Sequence, residues 1–295
     1  MQPVRIERSL RDPIPRSARG IVIQKCWRAK DRKMTLWVRF SSADGRVGFG
    51  ALERDQILEH AGDIFGEHAA TGKSLPTTAA RLLCPCTPSK IIALWNNFHA
   101  LAAKLQKPAP KYPLFLIKPA SCVTGPHDAI ERPVAYKGKI MYEGELGIVI
   151  GKPCANVSVN AASKYILGYT CVNDVTAGEL ISEDPNFQQW CRAKGYDTFG
   201  CVGPVIASGL DWSTRRVITR VDEVERQNYP LSDMIFSPHE LVSHLSHDMS
   251  LLPGDVIACG TSIGVGSVKD GATVEIRIDG IGSLVNTLSV SSIKT

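Results

Sequence analysis

The sequence lacks the features that define several large classes of protein. No apolar run approaches the ~20 residues that a membrane helix needs, and residues 1–19 contain no apolar stretch of the kind that forms a signal peptide. Internal repeats, heptad arrays and low-complexity tracts are absent. Lysine and arginine are scattered among acidic residues, and the net charge is +5 over 295 residues. We therefore expect a globular protein that binds neither membranes nor nucleic acid.

Cysteine is present but forms no recognisable framework. The nine cysteines are an odd number, spread through predicted strands, and they lack the spacing of a disulfide-stabilised secreted domain. Cys84 and Cys86 are separated by one residue, and no second cysteine or histidine pair is spaced to complete a zinc site. We expect structural cysteines at a domain junction and a cytoplasmic location.

The order of strand and helix signals changes at about residue 85. Before it, β-favouring runs predict strands at 20–23, 36–40 and 47–50. Residues 54–82 predict helices interrupted by glycine and proline. Pro85, Pro88 and the neighbouring cysteines indicate a boundary. We expect a small α+β N-terminal domain at 1–85 and a larger domain at 86–295.

The larger domain is predicted to be mostly β. Helices are expected at 97–106, 160–164, 176–181 and 238–248. Short strands are expected at 91–95, 114–117, 145–150, 166–173, 202–206, 217–224, 255–259, 272–279 and 283–290. Many short strands with few helices favour a mixed β-roll or sandwich over a doubly wound sheet. The fold class predicted for the whole chain is therefore α+β, mostly β.

Three carboxylates carry the clearest chemical signal. Glu145 leads directly into an apolar strand, and Glu143 lies two residues earlier, which places both carboxylates on one face of an extended chain. Two like charges at the entry to a core are costly unless a cation or a proton neutralises them. Asp174 ends another apolar strand. Hard oxygen ligands without histidine or cysteine suit Mg²⁺, Mn²⁺ or Ca²⁺. Spacing alone leaves open a surface glutamate pair and an ordinary strand-end aspartate.

Two further segments indicate substrate contacts. Lys194 lies between a tryptophan-containing segment and a strand, where a partly desolvated ammonium group can hold a carboxylate or an enolate; a solvated surface lysine is the alternative. Residues 260–266 form a glycine-rich loop after a strand, but they lack the Gly-Lys-Ser/Thr ending of a phosphate loop. We interpret them as a backbone loop that binds a carboxylate, with the Thr261 hydroxyl as a donor.

In this order, these segments resemble the fumarylacetoacetate hydrolase family over about residues 88–290. Each matching string is short, but the ordered set is specific. The matching strings are Pro88–Ile91, Phe115–Pro119, Glu143–Leu146, Gly168–Thr170, Asn173–Val175, Gln189–Phe199, Asp233–Phe236, Pro253–Ile257 and Gly260–Gly266.

The resemblance implies a mixed β-roll catalytic domain, a homodimer, and Mg²⁺ or Mn²⁺ as cofactor. Members act on 2-oxo acids and 1,3-diketo acids, whose 2-oxo and carboxylate oxygens chelate the metal. The positions implied are metal ligands Glu143, Glu145 and Asp174, catalytic residues Lys194 and His99, and substrate-binding residues Thr261, Lys118, Gln227 and Gly260.

The sequence departs from the family pattern in two places. Hydrolytic members carry a lid motif, Asn-Tyr-x-x-His-Ala-x-Glu, whose histidine and glutamate activate water. Without a gap the histidine position is Leu101; with a two-residue gap His99 fits, but the glutamate becomes Ala102. Gly178 also stands where the family commonly has an arginine that clamps a carboxylate.

Three hypotheses about function remain open. The first is a metal-dependent hydrolase that cleaves a C–C bond of a 1,3-diketo acid such as an acylpyruvate. The second is a metal-dependent isomerase, tautomerase or decarboxylase, which stabilises the same enolate without activating water. The third is a non-catalytic, ligand-binding relic of the fold, against which the three retained carboxylates and Lys194 argue. We favour the hydrolase.

Overall fold

The computed structural model describes residues 34–289. Its α-helices are α1 (His99–Lys104), α2 (Val159–Ala162), α3 (Trp190–Lys194) and α4 (Pro238–Asp248). Its strands are β1 (Thr35–Ser42), β2 (Val47–Glu53), β3 (Gln56–Gly62), β4 (His68–Pro76), β5 (Ala80–Leu83), β6 (Lys90–Trp95), β7 (Leu114–Pro119), β8 (Val123–Thr124), β9 (Ala129–Ile130), β10 (Ile140–Tyr142), β11 (Gly144–Ile150), β12 (Ile166–Asp174), β13 (Thr176–Ala177), β14 (Gly200–Ser208), β15 (Arg216–Val221), β16 (Val224–Pro230), β17 (Val256–Ala258), β18 (Gly266–Val268), β19 (Thr273–Ile278) and β20 (Gly282–Leu288). The predicted α+β, mostly β class is confirmed. The strand predicted at 20–23 lies outside the described residues.

One large sheet crosses the predicted domain boundary. Its strands run in the order β4-β3-β2-β1-β14-β12-β11-β17-β6-β7, with β5 beside β1 and β8 beside β14. The link is an antiparallel pairing of β1 with β14, in which Thr35 lies opposite Ser208 and Trp37 opposite Ile206. Strands from both sides of residue 85 therefore belong to the same sheet, and the boundary itself remains a prediction.

The helices predicted at 54–82 are wrong, because this segment forms β3, β4 and β5. β3 and β4 form a hairpin, and β5 pairs with β1. Most side chains of β3 and β4 are exposed or half-buried, with Ile57 the buried exception. A strand with so little buried surface shows no apolar alternation, so its sequence carries no period-two signal. The helix predicted at 176–181 is likewise replaced by β13 and a 3₁₀ turn, Gly178–Ser182.

Two smaller sheets complete the β-roll. One has the order β13-β10-β18, and the other has the order β16-β15-β19-β20-β9. The five-stranded sheet packs against β11 and β12, where Ile148, Cys171, Val217 and Ile276 are fully buried in one apolar cluster. All seven residues of β11 are buried, and apart from Glu145 its sequence contains only glycine and apolar residues. This packing fixes the strand from which Glu145 projects.

Helix α4 matches its sequence prediction and begins at a capping box. The Ser237 hydroxyl accepts a hydrogen bond from Glu240 N, and the Glu240 carboxylate accepts one from Ser237 N. Among residues 34–289, no helix is long and apolar enough to cross a membrane.

Candidate metal centre and active site

Glu143, Glu145 and Asp174 lie together at the ends of two paired strands. Glu145 is the second residue of β11, and Asp174 is the last residue of β12. The pairing of Gly144 with Asn173 brings the two strand ends side by side, and Asp174 N donates to Glu143 O at 2.9 Å. One carboxylate oxygen from each acid lies within 4.8 Å of the other two. The structure thus brings together the three residues that the sequence predicts as metal ligands.

The glycine between the two glutamates is required by close packing. A Cβ atom on Gly144 would collide with Thr219 Oγ1 and lie 3.2 Å from Gln227 Oε1. Because β15 and β16 press against this side of the strand, only glycine fits there. The sequence Glu-Gly-Glu therefore places two carboxylates on one face and no side chain on the other.

Two buried lysines contact the carboxylates. Lys194 Nζ lies 2.6 Å from Asp174 Oδ2 and 3.0 Å from Glu143 Oε1. Lys118 Nζ donates to Asp174 Oδ1 and, at 2.9 Å, to the carbonyl oxygen of Phe199. Both lysine side chains are at most 4% exposed. Three carboxylates and two ammonium groups leave the cluster with a net charge of −1 when all are ionised.

Burial and these charges shift the ionisation of each group. Burial raises the pKa of Glu145 well above its ordinary range, and the Asp174 and Glu143 charges raise it further. Burial alone would raise the pKa of Asp174, but the charges of Lys118 and Lys194 outweigh it and lower that pKa. For Lys194, burial alone would lower the pKa, yet the three carboxylates raise it. These charges therefore favour the ammonium form of Lys194.

The residues present fit a divalent cation. Glu145 Oε2 accepts a hydrogen bond from Gly260 N at 2.8 Å, but its buried Oε1 has no hydrogen-bond partner in the described part of the chain. A buried carboxylate oxygen without a partner is costly, and coordination removes that cost. A divalent cation would change the cluster charge from −1 to +1, which suits a substrate carboxylate.

Gln227 and Thr261, predicted to bind substrate, hold the backbone of Gly144 in place. Gln227 Oε1 accepts from Gly144 N at 3.0 Å, and Gln227 Nε2 donates to Thr261 Oγ1 at 2.9 Å. The Thr261 hydroxyl donates to Gly144 O at 3.0 Å. Gly260, in the left-handed region at φ +91°, directs its N–H to Glu145. These residues adjoin the predicted metal ligands; direct contact with substrate stays a prediction.

His99 is the first residue of α1. Its side chain is exposed, and in residues 34–289 it makes no hydrogen bond to the three carboxylates. The preceding residue, Phe98, packs edge-on against Tyr229 with ring centroids 4.9 Å apart. The following residue, Ala100, donates its N–H to Asp233 Oδ2 at 3.0 Å. An acidic side chain therefore lies beside the backbone of His99, although the lid glutamate is missing.

Sequence reasoning missed two residues that position Glu143. The Thr176 hydroxyl donates to Glu143 Oε1 at 2.8 Å, and Asn173 Oδ1 accepts from Glu143 N at 3.1 Å. Thr176 follows Asp174 by two residues, a spacing that places both on one face of an extended chain. This spacing was a usable signal for Thr176, whereas the Asn173 contact depends on strand register.

The chain belongs to the fumarylacetoacetate hydrolase family, as its sequence resemblance indicated. Residues 90–289 match the family described as fumarylacetoacetate (FAA) hydrolase C-terminal. Residues 36–85 match a second family, described as Rv2993c-like, N-terminal.

Individual relatives cover most of the chain. An uncharacterized protein of Archaeoglobus fulgidus is 43% identical over 245 residues, which span 83% of this chain and 93% of the relative. The crystal structure of 2-hydroxyhepta-2,4-diene-1,7-dioate isomerase from Mycobacterium marinum is 37% identical, with a TM-score of 0.80, and covers 88% of this chain and 100% of its own. Fumarylpyruvate hydrolase from Pseudomonas aeruginosa, solved with Mn²⁺ and pyruvate, is 26% identical, with a TM-score of 0.65, over 72% of this chain and 92% of its own. Relatives of both reaction types support an enzymatic function.

Proposed function

We propose that this protein is a Mg²⁺- or Mn²⁺-dependent hydrolase that cleaves a C–C bond of a 1,3-diketo acid of the acylpyruvate or fumarylpyruvate type. The observation that carries the proposal is the buried cluster of Glu143, Glu145 and Asp174, in which Glu145 Oε1 has no hydrogen-bond partner in the described residues. The Pseudomonas hydrolase, solved with Mn²⁺ and pyruvate, supports the same assignment.

The lysines supply fixed positive charge beside the reacting carbon atoms. When bound, the cation polarises the 2-oxo and carboxylate oxygens of the substrate. Lys194 stays protonated and stabilises the negative charge that develops on the departing fragment. Lys118 donates a hydrogen bond to Asp174 and keeps it ionised. The Phe199 carbonyl accepts a second hydrogen bond from Lys118 and so fixes the ammonium group beside Asp174. Because these groups are buried, little water competes for their hydrogen bonds.

Water activation in this proposal falls to His99. An imidazole that accepts a proton from water needs an acid to orient it and to stabilise the imidazolium ion. In the proposal Asp233, which accepts a hydrogen bond from the backbone of the residue after His99, takes the part of the missing lid glutamate.

The second candidate is isomerisation, tautomerisation or decarboxylation of a related 2-oxo or 2-hydroxydienoate acid. The Mycobacterium marinum isomerase, 37% identical, favours it. So does Ala102 at the lid glutamate position, because these reactions need no activated water. Lys194 and the three carboxylates would have the same roles in either reaction.

The experiment that tests the proposal measures turnover of a substrate panel with Mg²⁺ or Mn²⁺, with and without EDTA. The panel contains acylpyruvates, fumarylpyruvate, oxaloacetate and a 2-hydroxydienoate, followed by absorbance and product mass. We expect metal-dependent release of pyruvate and a second acid. A mass-neutral product or release of CO₂ would establish the second candidate, and turnover that EDTA leaves unchanged would overturn the metal assignment.

The proposal includes a cytoplasmic homodimer. Seven of the eight cysteines in the described residues are buried, and all eight are free thiols, which supports a reducing compartment. β7 is a sheet-edge strand whose Leu114, Phe115 and Ile117 side chains are each more than a third exposed. An apolar sheet edge of this kind favours association of two copies. Light scattering on the wild-type protein and on Ile117→Lys tests this part.

A further inference from the structure

Asn97 is a buried polar residue in the connection between β6 and α1, and it is 1% exposed. Its side-chain amide joins this connection to two segments that are far away in sequence. Oδ1 accepts a hydrogen bond from Phe236 N at 2.8 Å. Nδ2 donates to Phe236 O at 3.2 Å and to Cys259 O at 2.8 Å. A buried amide with these partners fixes the relative position of three chain segments.

The contact with Cys259 acts on the peptide group that holds a predicted metal ligand. The C=O of Cys259 and the N–H of Gly260 belong to one planar trans peptide group, so they point in opposite directions. The C=O accepts from Asn97, and the N–H donates to Glu145 Oε2 at 2.8 Å. Because the group is rigid, a rotation would break both hydrogen bonds at once. Asn97 and Glu145 therefore fix the same peptide plane from its two edges.

Gly260 would otherwise allow this peptide group to rotate. Its φ of +91° lies in the left-handed region, and glycine moves between backbone conformations more readily than any other residue. A Cβ atom on Gly260 would lie 3.2 Å from Asn97 Cβ and 3.3 Å from Leu94 O, so Asn97 packs directly against this residue. A glycine beside a metal ligand needs an outside contact to keep its N–H in one direction. The amide of Asn97 supplies that contact.

The backbone around Asn97 is itself held firmly. Ile235 N donates to Asn97 O at 2.9 Å. The next residue, Phe98, forms an antiparallel bridge with Met234 and is fully buried. These contacts join residues 97–98 to residues 234–236, in addition to the two hydrogen bonds between the Asn97 amide and Phe236. Asn97 therefore has a rigid support from which to orient the Cys259 carbonyl.

We propose that Asn97 is a positioning residue for the metal centre. Its amide orients the Cys259–Gly260 peptide so that the Gly260 N–H holds Glu145 Oε2, which leaves Glu145 Oε1 free to coordinate the cation. The inference rests on the proposed function, because it assumes a cation at the three carboxylates. It extends that function to a residue that, within residues 34–289, makes no hydrogen bond to any of those carboxylates.

The neighbouring Asn96 provides a matched control. It is also buried, at 3% exposed, but its Nδ2 donates to Pro108 O at 3.3 Å and not to the Cys259–Gly260 peptide. Asn97→Asp and Asn96→Asp each replace one buried amide group with a carboxyl group of the same shape. Both changes should destabilise the fold, since each removes a buried hydrogen-bond donor. The free energy of unfolding therefore does not distinguish the two variants, whereas Mn²⁺ affinity does.

Two measurements on the full chain test the role of Asn97. In calorimetric titration, Asn97→Asp should bind Mn²⁺ about tenfold more weakly than the wild type, the usual effect of losing a group that orients a metal ligand. Asn96→Asp should bind Mn²⁺ as the wild type does. In hydrogen–deuterium exchange of the metal-free proteins, the Gly260 amide should exchange faster in Asn97→Asp than in the wild type or in Asn96→Asp.

Unchanged Mn²⁺ affinity in Asn97→Asp, or an equal loss in both variants, overturns the positioning role and leaves the metal centre standing. Weaker Mn²⁺ binding without faster exchange at Gly260 also overturns it, because the peptide group is then not the link. If the wild type itself does not bind Mn²⁺, the proposed function fails, and the positioning role fails with it. Should Asn97→Asp not fold, Asn97→Ala takes its place with the same expected results, since it removes the donor without adding a charge.

Discussion

The Nζ atom of Lys194 lies 2.6 Å from Oδ2 of Asp174, and both side chains are buried. Lys118 occupies the other oxygen of the same carboxylate. The aspartate therefore has an ammonium group at each oxygen, so a cation coordinated by Asp174 shares the carboxylate with a lysine. In the proposed reaction, the charge of Lys194 would therefore weaken metal binding and favour catalysis.

Lys194→Met should lower turnover of the 2-oxo acid by about 10²-fold or more, because a preorganised charge beside the reacting atoms is lost. The same change should strengthen Mn²⁺ binding, since one positive charge leaves the ligand cluster. Steady-state kinetics and Mn²⁺ titration measure the two effects. Lys194→Arg keeps the charge and is the control. An unchanged kcat in Lys194→Met would rule out a catalytic role for Lys194.

Gly144→Ala should destabilise the protein by about 1–3 kcal/mol, the usual cost of overpacking, and should weaken Mn²⁺ binding. The added methyl group would collide with Thr219 Oγ1 and displace the strand that carries both glutamates. Gly66→Ala is the matched control, because its Cβ would lie 3.7 Å from the nearest atom, Asp63 Cβ, which is an ordinary van der Waals contact. Urea denaturation gives the free energy of unfolding; equal values for the two variants would contradict the packing argument.

Thr176→Val should weaken Mn²⁺ binding about tenfold, the usual effect of removing a residue that orients a metal ligand. Valine preserves the shape of the side chain but removes the hydroxyl that donates to Glu143 Oε1. Thr176→Ser retains the hydroxyl and should restore most of the affinity. If the Thr176→Val variant binds Mn²⁺ as tightly as the wild-type protein, Glu143 is held by other contacts.

His99→Ala and Asp233→Asn separate the two candidate reactions. If the enzyme is a hydrolase, each should lower kcat by about 10²-fold, within the usual range for general-base catalysis, and Asp233→Asn should also shift the acid limb of the pH–rate profile. If it is an isomerase or a decarboxylase, both variants should retain near-wild-type turnover while Lys194→Met does not. Stopped-flow absorbance with the best substrate from the panel decides between these results.

A histidine pair on β3 and β4 should make stability depend on pH. His60 Nδ1 lies 3.1 Å from His68 Nδ1. Burial, together with the charge of His68, lowers the pKa of His60 below its ordinary 6.5. A depressed histidine pKa means that the unfolded chain binds the proton more readily, so stability is present above pH 6.5 and falls as the pH drops below it.

The melting temperature should therefore fall between pH 7.5 and pH 5 by more in the wild type than in His68→Gln. The effect is small because His60 is only half-buried and solvent screens part of its charge. Parallel curves for the two proteins would mean that His68 does not contribute to the lowered pKa of His60.

The cluster of Glu143, Glu145 and Asp174 was the part of the candidate site most accessible to sequence reasoning. Glu145 and Asp174 each adjoin a long apolar strand, and a carboxylate at such a place is unusual enough to identify. Lys194 was identified mainly through the family pattern, since a single lysine carries no signal of burial. The Lys118–Asp174 contact depends on the pairing of strands far apart in sequence, which no local pattern encodes.

The strand predictions were correct where the strand is buried and wrong where it is exposed. β11 and β12 are almost entirely buried, and their apolar runs were recognised; β3 and β4 are mostly exposed and were mistaken for helices. Exposed strands obtain their order from backbone hydrogen bonds with neighbours rather than from apolar side chains, so hydropathy cannot locate them.

The pairing of β1 with β14 covers one edge of β14. β14 begins one residue after Phe199, whose carbonyl anchors Lys118. A chain shortened to begin near residue 86 would lose β1 and present the N–H and C=O groups of Ile206–Ser208 to solvent. Such an open edge is a template for intermolecular strand addition. Removal of the N-terminal strands should therefore promote aggregation along this edge of the sheet.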